Sequence, residues 1–388
     1  MVSIDTLPDD ALLIIFDHHL YGVRKEVLYQ WDQNFQKIEK AWQSLVQVCH
    51  RWRSIVFESP RQLDLRLVCA GRTPARDRLD VCPTLPLMIR VDVGDSIRNV
   101  DNIIAALERT DRVCQIYLSN VGSLDMEMVL AEMQQPFPGL TSLCLWSIDE
   151  TVPDSFLGGS APRLEQLVLG HILFPALPKL LLSATQLVTL NLYHIPHSGY
   201  LSPDVIATVL STLTSLNSLC LQFISTRSCP VWATRRPLPS TRPVLPVLTQ
   251  FVFNGVSEYL EDLVARIDAP QLKYLLITFF NDIVFDTPQL MQFIGRTPKL
   301  KALEKADIDL MDNGARVKSL SRDGSYLVVE ISCKGLDWQL SSLEQVCTSC
   351  LPHLSVVENL YFYGYEDRQA CWKDDIDNEL CVETITLS

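Results

Sequence analysis

The sequence predicts an α/β fold in which a helical amino-terminal domain precedes a solenoid of parallel inner strands and outer helices. Two observations predict this fold. The first 60 residues carry apolar stripes at helical spacing, and from residue 113 onward a phrase of four apolar residues returns many times. Segments with helical signals lie between the copies of the phrase. Successive strands are therefore expected to be parallel, because a crossover helix joins one strand to the next.

The first helix is predicted to begin at Pro8. Proline suits the first helical turn because its missing N–H would have no partner there. Asp9 and Asp10 place negative charge beside the positive end of the helix dipole. An apolar stripe follows, formed by Leu12, Ile15, Phe16 and Leu20. A second stripe is formed by Trp42, Leu45, Val46, Cys49, Trp52, Ile55 and Val56.

Three motifs in this region carry a resemblance to a known family. They are Leu7-Pro8, the run Leu13-Ile14-Ile15-Phe16, and the pairing Val48-Cys49-x-x-Trp52. With them, residues 4–60 resemble the F-box, and mushroom-type (basidiomycete) F-box proteins look similar here. The resemblance implies that the domain docks onto a Skp-type adaptor and, through it, onto a cullin ubiquitin ligase. The residues expected to anchor the adaptor are Leu7, Pro8, Leu12, Ile15, Phe16, Leu45, Cys49 and Trp52.

The F-box-like domain is assigned to residues 1–60, with one departure from the family pattern. Residues 21–41 form a longer stretch than a compact F-box uses, and they predict either an extended helix or an elaborated loop. An ordinary three-helix core is the alternative interpretation of the whole domain. Residues 61–105 are predicted to be a connecting or capping segment.

The repeated phrase has the spacing apolar-x-x-apolar-x-apolar-x-x-apolar, as in Leu187, Leu190, Leu192 and Ile195. Its third position falls in seven successive copies at Leu118, Leu145, Leu169, Leu192, Leu221, Phe253 and Ile277. Most of the steps between copies fall within or near the ~20 to 29 residues of leucine-rich repeats. Residues 106–388 therefore resemble a leucine-rich-repeat horseshoe. Weaker copies follow at Leu300, Leu303 and Ile308 and at Val357, Leu360 and Phe362.

Helices are predicted between the strands at four places: 202–213, 257–267, 287–295 and 337–349. A proline-x-leucine step, as in Pro162-Arg163-Leu164 and Pro298-Lys299-Leu300, is expected to restart the strand after a helix. Residues 225–246 differ in composition, with five prolines and four arginines. They predict an exposed loop, which is either inert or a recognition loop for an acidic partner.

Composition indicates which cellular compartment and which classes of partner to expect. The chain is 47% apolar. Its net charge of −13 argues against nucleic-acid binding, because nucleic acids are bound by positively charged surfaces. Its twelve cysteines show no regular pairing and the amino terminus has no signal-peptide pattern, so reduced thiols in the cytoplasm or nucleus are expected. The most apolar stretch, 167–182, is interrupted by His171, Pro175, Pro178 and Lys179, which argues against a membrane span.

The sequence contains no motif for enzymatic chemistry: a phosphate loop, a nucleophile elbow, a zinc-protease motif and a dinucleotide fingerprint are all missing. Cys347-x-x-Cys350-x-x-His353, with Cys333 or Cys371 as a fourth ligand, could suit zinc. Repeat packing explains the same residues better, and His194 with His197 is interpreted as a surface pair. No enzyme activity, cofactor or metal is therefore expected.

The predicted function is substrate recognition in a cullin-type ubiquitin ligase, with an unidentified protein substrate. The alternative is a leucine-rich-repeat interaction scaffold without any ubiquitin-ligase role. Side chains that alternate with the buried strand positions are the candidates for substrate binding. They are Trp146, Tyr193, Gln222, Asn254, Tyr274, Thr278, Tyr361 and Tyr363.

The last residues also carry the repeat phrase, at Val382, Ile385 and Leu387. A final strand without a following helix would leave an exposed sheet edge. The sequence therefore predicts that this terminus is cut short or covered by a partner.

Overall fold

The structure is a computed structural model that describes residues 6–28, 35–60, 62–70, 76, 79–80, 82, 85–91, 100–119, 122–225, 242–280, 287–301, 305–311, 314–321, 323–332, 338–339, 341–342, 344 and 359–363. The chain divides into two compact units, Met1–Cys144 and Leu145–Ser388. Both units combine helices with mostly parallel strands, so the general α/β class predicted from the sequence is confirmed.

Three helices open the first unit: α1 (Asp9–Leu28), α2 (Phe35–Val46) and α3 (His50–Glu58). Helix α1 continues through the first part of the stretch 21–41, and α2 begins at Phe35 within it. The described parts of this stretch, 21–28 and 35–41, therefore belong to two helices, and the residues between them lie outside the described part of the chain. Arg51 on α3 donates hydrogen bonds to the Asp9 carboxylate and to the Leu7 carbonyl oxygen, which ties α3 to the start of α1.

The described residues in the rest of the first unit include three parallel strands in chain order and two complete helices. The strands are β1 (Leu67–Cys69), β2 (Leu87–Val91) and β3 (Val113–Ser119), and the helices are α4 (Val100–Leu107) and α5 (Ser123–Glu132). The Arg112 guanidinium donates to the carbonyl oxygens of Leu79, Cys82 and Leu85. These bonds satisfy backbone acceptors in the segment before β2, where no ladder partner is available.

The strands of the second unit follow one another in space up to the sixth. They are β4 (Ser142–Thr151), β5 (Gln166–Leu173), β6 (Thr189–Ile195), β7 (Ser218–Phe223), β8 (Gln250–Gly255) and β9 (Tyr274–Phe279). Strands β5 to β9 are parallel. The helices are α6 (Leu177–Ser183), α7 (Pro203–Leu210), α8 (Ser257–Val264), α9 (Pro288–Arg296) and α10 (Pro298–Lys301), and 3-10 turns cover Phe156–Gly159 and His197–Gly199.

The repeat phrase sets the register of these strands. Its second position is paired across the sheet as Leu167, Leu190, Leu219, Phe251 and Leu275, and all five side chains are completely buried. Its third position forms the next buried row, Leu169, Leu192, Leu221, Phe253 and Ile277. Each such side chain contributes about 1.5–3 kcal/mol by leaving water, so the repeated leucines are the main stabilising feature of this unit.

The segment after α9 differs from the repeat prediction. Leu300, expected at the start of a strand, lies in helix α10, and β10 (Lys305–Met311) begins later. Strands β10, β11 (Gly314–Leu320) and β12 (Tyr326–Ser332) form an antiparallel meander, and β12 rather than β10 pairs with β9. Strand β13 (Asn359–Tyr363) pairs parallel with β10. The expectation of only parallel strands is therefore wrong here.

The alternation of buried residues on β11 and β12 is the sequence signal for these antiparallel strands. Ala315 and Val317 on β11, and Leu327, Val329 and Ile331 on β12, are buried at every second residue, which is the strand period rather than the repeat phrase. The turn between the two strands contains Gly324 with a φ of 81°, a conformation that glycine adopts without steric cost.

The predicted helices at 202–213, 257–267 and 287–295 correspond to α7, α8 and α9. Most of the predicted helix at 337–349 and of the loop at 225–246 lies outside the described residues. So do the Cys347, Cys350 and His353 constellation and the predicted terminal strand.

Candidate functional site

The predicted adaptor-binding residues occupy two different environments on helices α1 to α3. Leu12, Phe16 and Leu45 are buried. Pro8 and Ile15 are exposed, and Leu7, Cys49 and Trp52 are half-buried. The Phe16 and Trp52 rings lie 4.7 Å apart between centroids, so they hold α1 against α3. The predicted set therefore combines core residues of the three-helix unit with residues available to a partner.

Two further apolar side chains are exposed on the same helical unit. Ile14 on α1 retains 69% of its accessible surface, and Val48, just before α3, retains 59%. Both residues belong to the F-box-like motifs of the sequence but were not among the predicted anchors. For Ile14, the available signal was its position in the apolar run Leu13 to Phe16, because a helix cannot bury four consecutive residues on one face. Pro8, Ile14, Ile15 and Val48 are called the exposed apolar set below.

The second candidate surface lies on the side of strands β5 to β9 opposite to the buried leucine rows. Strand pairing places Gln222, Asn254 and Thr278 side by side in one row. Tyr193 lies on the neighbouring strand β6, at a register shift between Leu192 and Ile195, and all four side chains are half-buried. Tyr274 belongs to another row, at the beginning of β9, where its ring lies 4.8 Å from that of Tyr326. Tyr361 and Tyr363 lie on β13, and their side chains are outside the described part of the chain.

Trp146 joins this row by reaching across β5. Its ring stacks on that of Tyr193 with a centroid distance of 5.2 Å and an interplanar angle of 22°. Gly170, the β5 residue paired with Tyr193, lies beneath the indole: a Cβ at this position would be 2.3 Å from Trp146 Cε3. The glycine therefore leaves the space that allows the two aromatic rings to meet.

Two histidines adjoin the aromatic pair. His171 and His194 follow Gly170 and Tyr193 on their strands, and their rings stack 4.3 Å apart. Both have positive φ, 58° and 52°, a strained backbone region for residues other than glycine. From the sequence, His194 was paired with His197 as a surface pair, and His171 was not predicted to be a functional residue. A comparison of residues at the same offset in successive copies would have paired His171 with His194.

We expect His194 to make the stability of this region sensitive to acid. Burial, and then the adjacent His171, hold the pKa of His194 below its ordinary value of 6.5. The unfolded chain therefore binds a proton at a higher pH than the folded chain does. The stability contributed by neutral His194 is complete above about pH 6.5 and is lost as the pH falls below that value.

Urea unfolding between about pH 7.5 and about pH 5.5 tests this expectation. His194→Asn should flatten the decline, since asparagine tolerates a positive φ and does not titrate. His197→Asn is the matched control, because His197 is exposed, and it should decline as the unaltered protein does. Identical profiles for the two variants would contradict the role of His194.

The described buried cysteines do not provide a nucleophile. Burial raises the pKa of the Cys69 thiol to about 11, partly offset by Arg112. Burial likewise raises the pKa of Cys220 to about 12, although Tyr193 hydrogen-bonds to it. A thiolate is the reactive form, so these two thiols are unreactive near neutral pH.

Among the described residues, no cluster of three or more histidine, cysteine, aspartate or glutamate side chains is arranged to hold a metal ion. Nor is any described helix both long enough and apolar enough to cross a membrane. The strongest features of the described chain are thus two surfaces, one on helices α1 to α3 and one on strands β5 to β9. Comparisons with protein-family models, curated proteins and solved structures find no match for this chain.

Proposed function

We propose that this protein is a substrate receptor of a cullin-type ubiquitin ligase, with an F-box in its first three helices and a leucine-rich-repeat solenoid as its substrate-binding part. The observation that carries the proposal is the exposed apolar set, Pro8, Ile14, Ile15 and Val48, on a helical unit whose Leu-Pro and Val-Cys-x-x-Trp motifs resemble those of the F-box. Ile14 and Val48 are both more than half exposed. Their burial against a partner would stabilise a complex, because the transfer of apolar surface out of water is favourable.

The strand arrangement of the second unit supports the receptor role. Five parallel strands, β5 to β9, pair in register at the leucine positions, so equivalent residues of the repeats form rows on the face opposite the leucines, with one register shift between β6 and β7 after Leu192. Repeat proteins use such extended surfaces to bind other proteins. In this proposal the chain performs no covalent chemistry itself, and the other ligase subunits transfer ubiquitin.

Copurification with a Skp-type adaptor tests the proposal. The full chain, co-expressed with the adaptor, should elute with it in one complex. Ile14→Asp with Val48→Asp should weaken the complex at least about 30-fold, since the loss of even one interface hot spot costs about 2 kcal/mol or more. Both side chains are exposed, so the folded unit should keep its helical circular dichroism signal.

Met128→Asp is the matched control, because Met128 is an exposed apolar residue on helix α5 and does not belong to helices α1 to α3. It should leave adaptor binding unchanged. An unaltered chain that does not bind the adaptor would overturn the ligase assignment and favour the interaction-scaffold alternative.

A further inference from the structure

The face of strands β5 to β9 that carries Tyr193 and Gln222 lacks charged side chains. Strand pairing and alternation define fifteen positions on this face in three rows; two rows run without a break across the five strands, and the third is interrupted by a register shift between Leu192 and Ile195 of β6. At the chain's overall charged content of 20%, about three of them would be charged. None is. The rows are Gln166, Thr189, Ser218, Gln250 and Tyr274; Val168, Asn191, Cys220, Val252 and Leu276; and Gly170, Tyr193, Gln222, Asn254 and Thr278.

The chemistry of these fifteen positions, called the neutral face below, suits a peptide backbone. Amide and hydroxyl groups such as Gln222, Gln250 and Thr278 both donate and accept hydrogen bonds, as backbone N–H and C=O groups require. The middle row adds apolar surface at Val252 and Leu276. At the β5–β6 end, the Trp146–Tyr193 pair is an aromatic anchor of the kind that dominates binding energy at protein interfaces.

Charge begins abruptly beyond this face. On the three neighbouring strands, Glu330, Arg316 and Asp309 occupy one row, with Arg316 3.3 Å from Glu330 and 3.7 Å from Asp309. In the next row Lys318 stands opposite Asp307. Positive groups here are therefore already opposed by carboxylates. The neutral face itself offers neither arginine nor lysine to a phosphate or a carboxylate.

We propose that the neutral face binds an extended, uncharged and unphosphorylated segment of the protein substrate, so that phosphorylation of that segment prevents binding. This inference rests on the proposed receptor function and specifies its substrate class. The face spans four strand spacings, about 19 Å, which an extended chain covers in about six residues. A charged side chain buried against it would lose water without gaining a counter-charge. Phosphate-dependent recognition requires a cluster of arginines, which this face lacks.

A positional-scanning peptide library tests the proposal. Immobilised decapeptides with blocked ends, each sublibrary fixed at one position, are probed with the labelled full chain. Sublibraries fixed with aromatic, aliphatic or proline residues should bind at least threefold more protein than those fixed with Asp, Glu, Lys, Arg or phosphoserine. Phosphoserine placed in the best peptide found should weaken its binding at least tenfold.

A second test compares the same glutamine-to-glutamate substitution inside and outside the neutral face. Gln222→Glu should weaken the selected peptide about tenfold, the equivalent of ~1.4 kcal/mol. Gln271→Glu makes the same change at an exposed residue outside the face and should alter affinity less than twofold. A preference for charged or phosphorylated sublibraries, no binding above background, or equal effects of the two variants would overturn the inference. Adaptor copurification is measured separately, so failure of the ligase assignment is distinguishable from failure here.

Discussion

Replacing Phe16 with alanine should lower the free energy of unfolding of the amino-terminal helices by about 3–5 kcal/mol. Phe16 is completely buried, and its ring packs against Trp52 of helix α3. The substitution removes that contact and leaves a cavity between α1 and α3. A loss of this size is a large fraction of the ~5–15 kcal/mol that stabilises a typical domain, so we expect a marked drop in the unfolding midpoint of the first unit. Urea unfolding followed by circular dichroism measures the effect.

Ile14→Ala is the matched control, two residues earlier on the same helix. Ile14 keeps 69% of its surface exposed, so its loss should change the free energy of unfolding by less than about 0.5 kcal/mol. Adaptor binding should respond in a different way. Ile14→Ala should weaken it while the fold stays intact, whereas Phe16→Ala should impair it only through unfolding. A Phe16→Ala protein as stable as Ile14→Ala would show that the ring does not hold these helices together.

This contrast shows what the sequence could predict about the amino-terminal unit. The apolar stripe correctly indicated a helix, because spacing of three and four residues identifies one face. It could not separate core from partner-facing residues, since the run Leu13 to Phe16 is apolar throughout and covers more than one face. Which part of that run is buried depends on how α2 and α3 pack against α1, and this is tertiary information.

The repeat region shows a similar limit. The phrase predicted the register of β5 to β9, because the same two leucine positions must be buried in every copy. It failed at β10 to β12, where Leu300 began a further apparent copy but the chain forms an antiparallel meander. Alternating residues in β11 and β12 carried the correct signal, which a search for the repeat phrase alone does not detect.

The Trp146–Tyr193 pair was predicted only in part. Both residues follow the third position of their copies, so they were expected on the same face. Their direct contact was not foreseeable, because it depends on Gly170 in the strand between them. A glycine inside a strand indicates that another group approaches the backbone closely, but it does not identify that group.

Gly170→Ala should therefore disrupt the aromatic pair and cost about 1–3 kcal/mol of stability. The added Cβ would lie 2.3, 2.6 and 2.7 Å from three ring atoms of Trp146, too close for any real contact. Gly170 has no positive φ, so alanine fits its backbone, and the steric conflict with the indole is the reason for the cost. The ring must move, and its stacking on Tyr193 is lost. Urea unfolding and the fluorescence of Trp146 report the two consequences.

The steric conflict between an added Cβ at position 170 and the Trp146 indole can be measured separately by removing the indole. In a Trp146→Ala protein the space above Gly170 is open, so the further change Gly170→Ala should cost little there; the difference between the two backgrounds is the coupling energy of the pair. Gly295→Ala is a second control, since a Cβ at Gly295 in helix α9 meets nothing within 4 Å. It should stabilise the protein by roughly 0.5–1 kcal/mol, because alanine favours helix. If Gly170→Ala costs the same stability with and without Trp146, the indole is not what makes glycine necessary at this position.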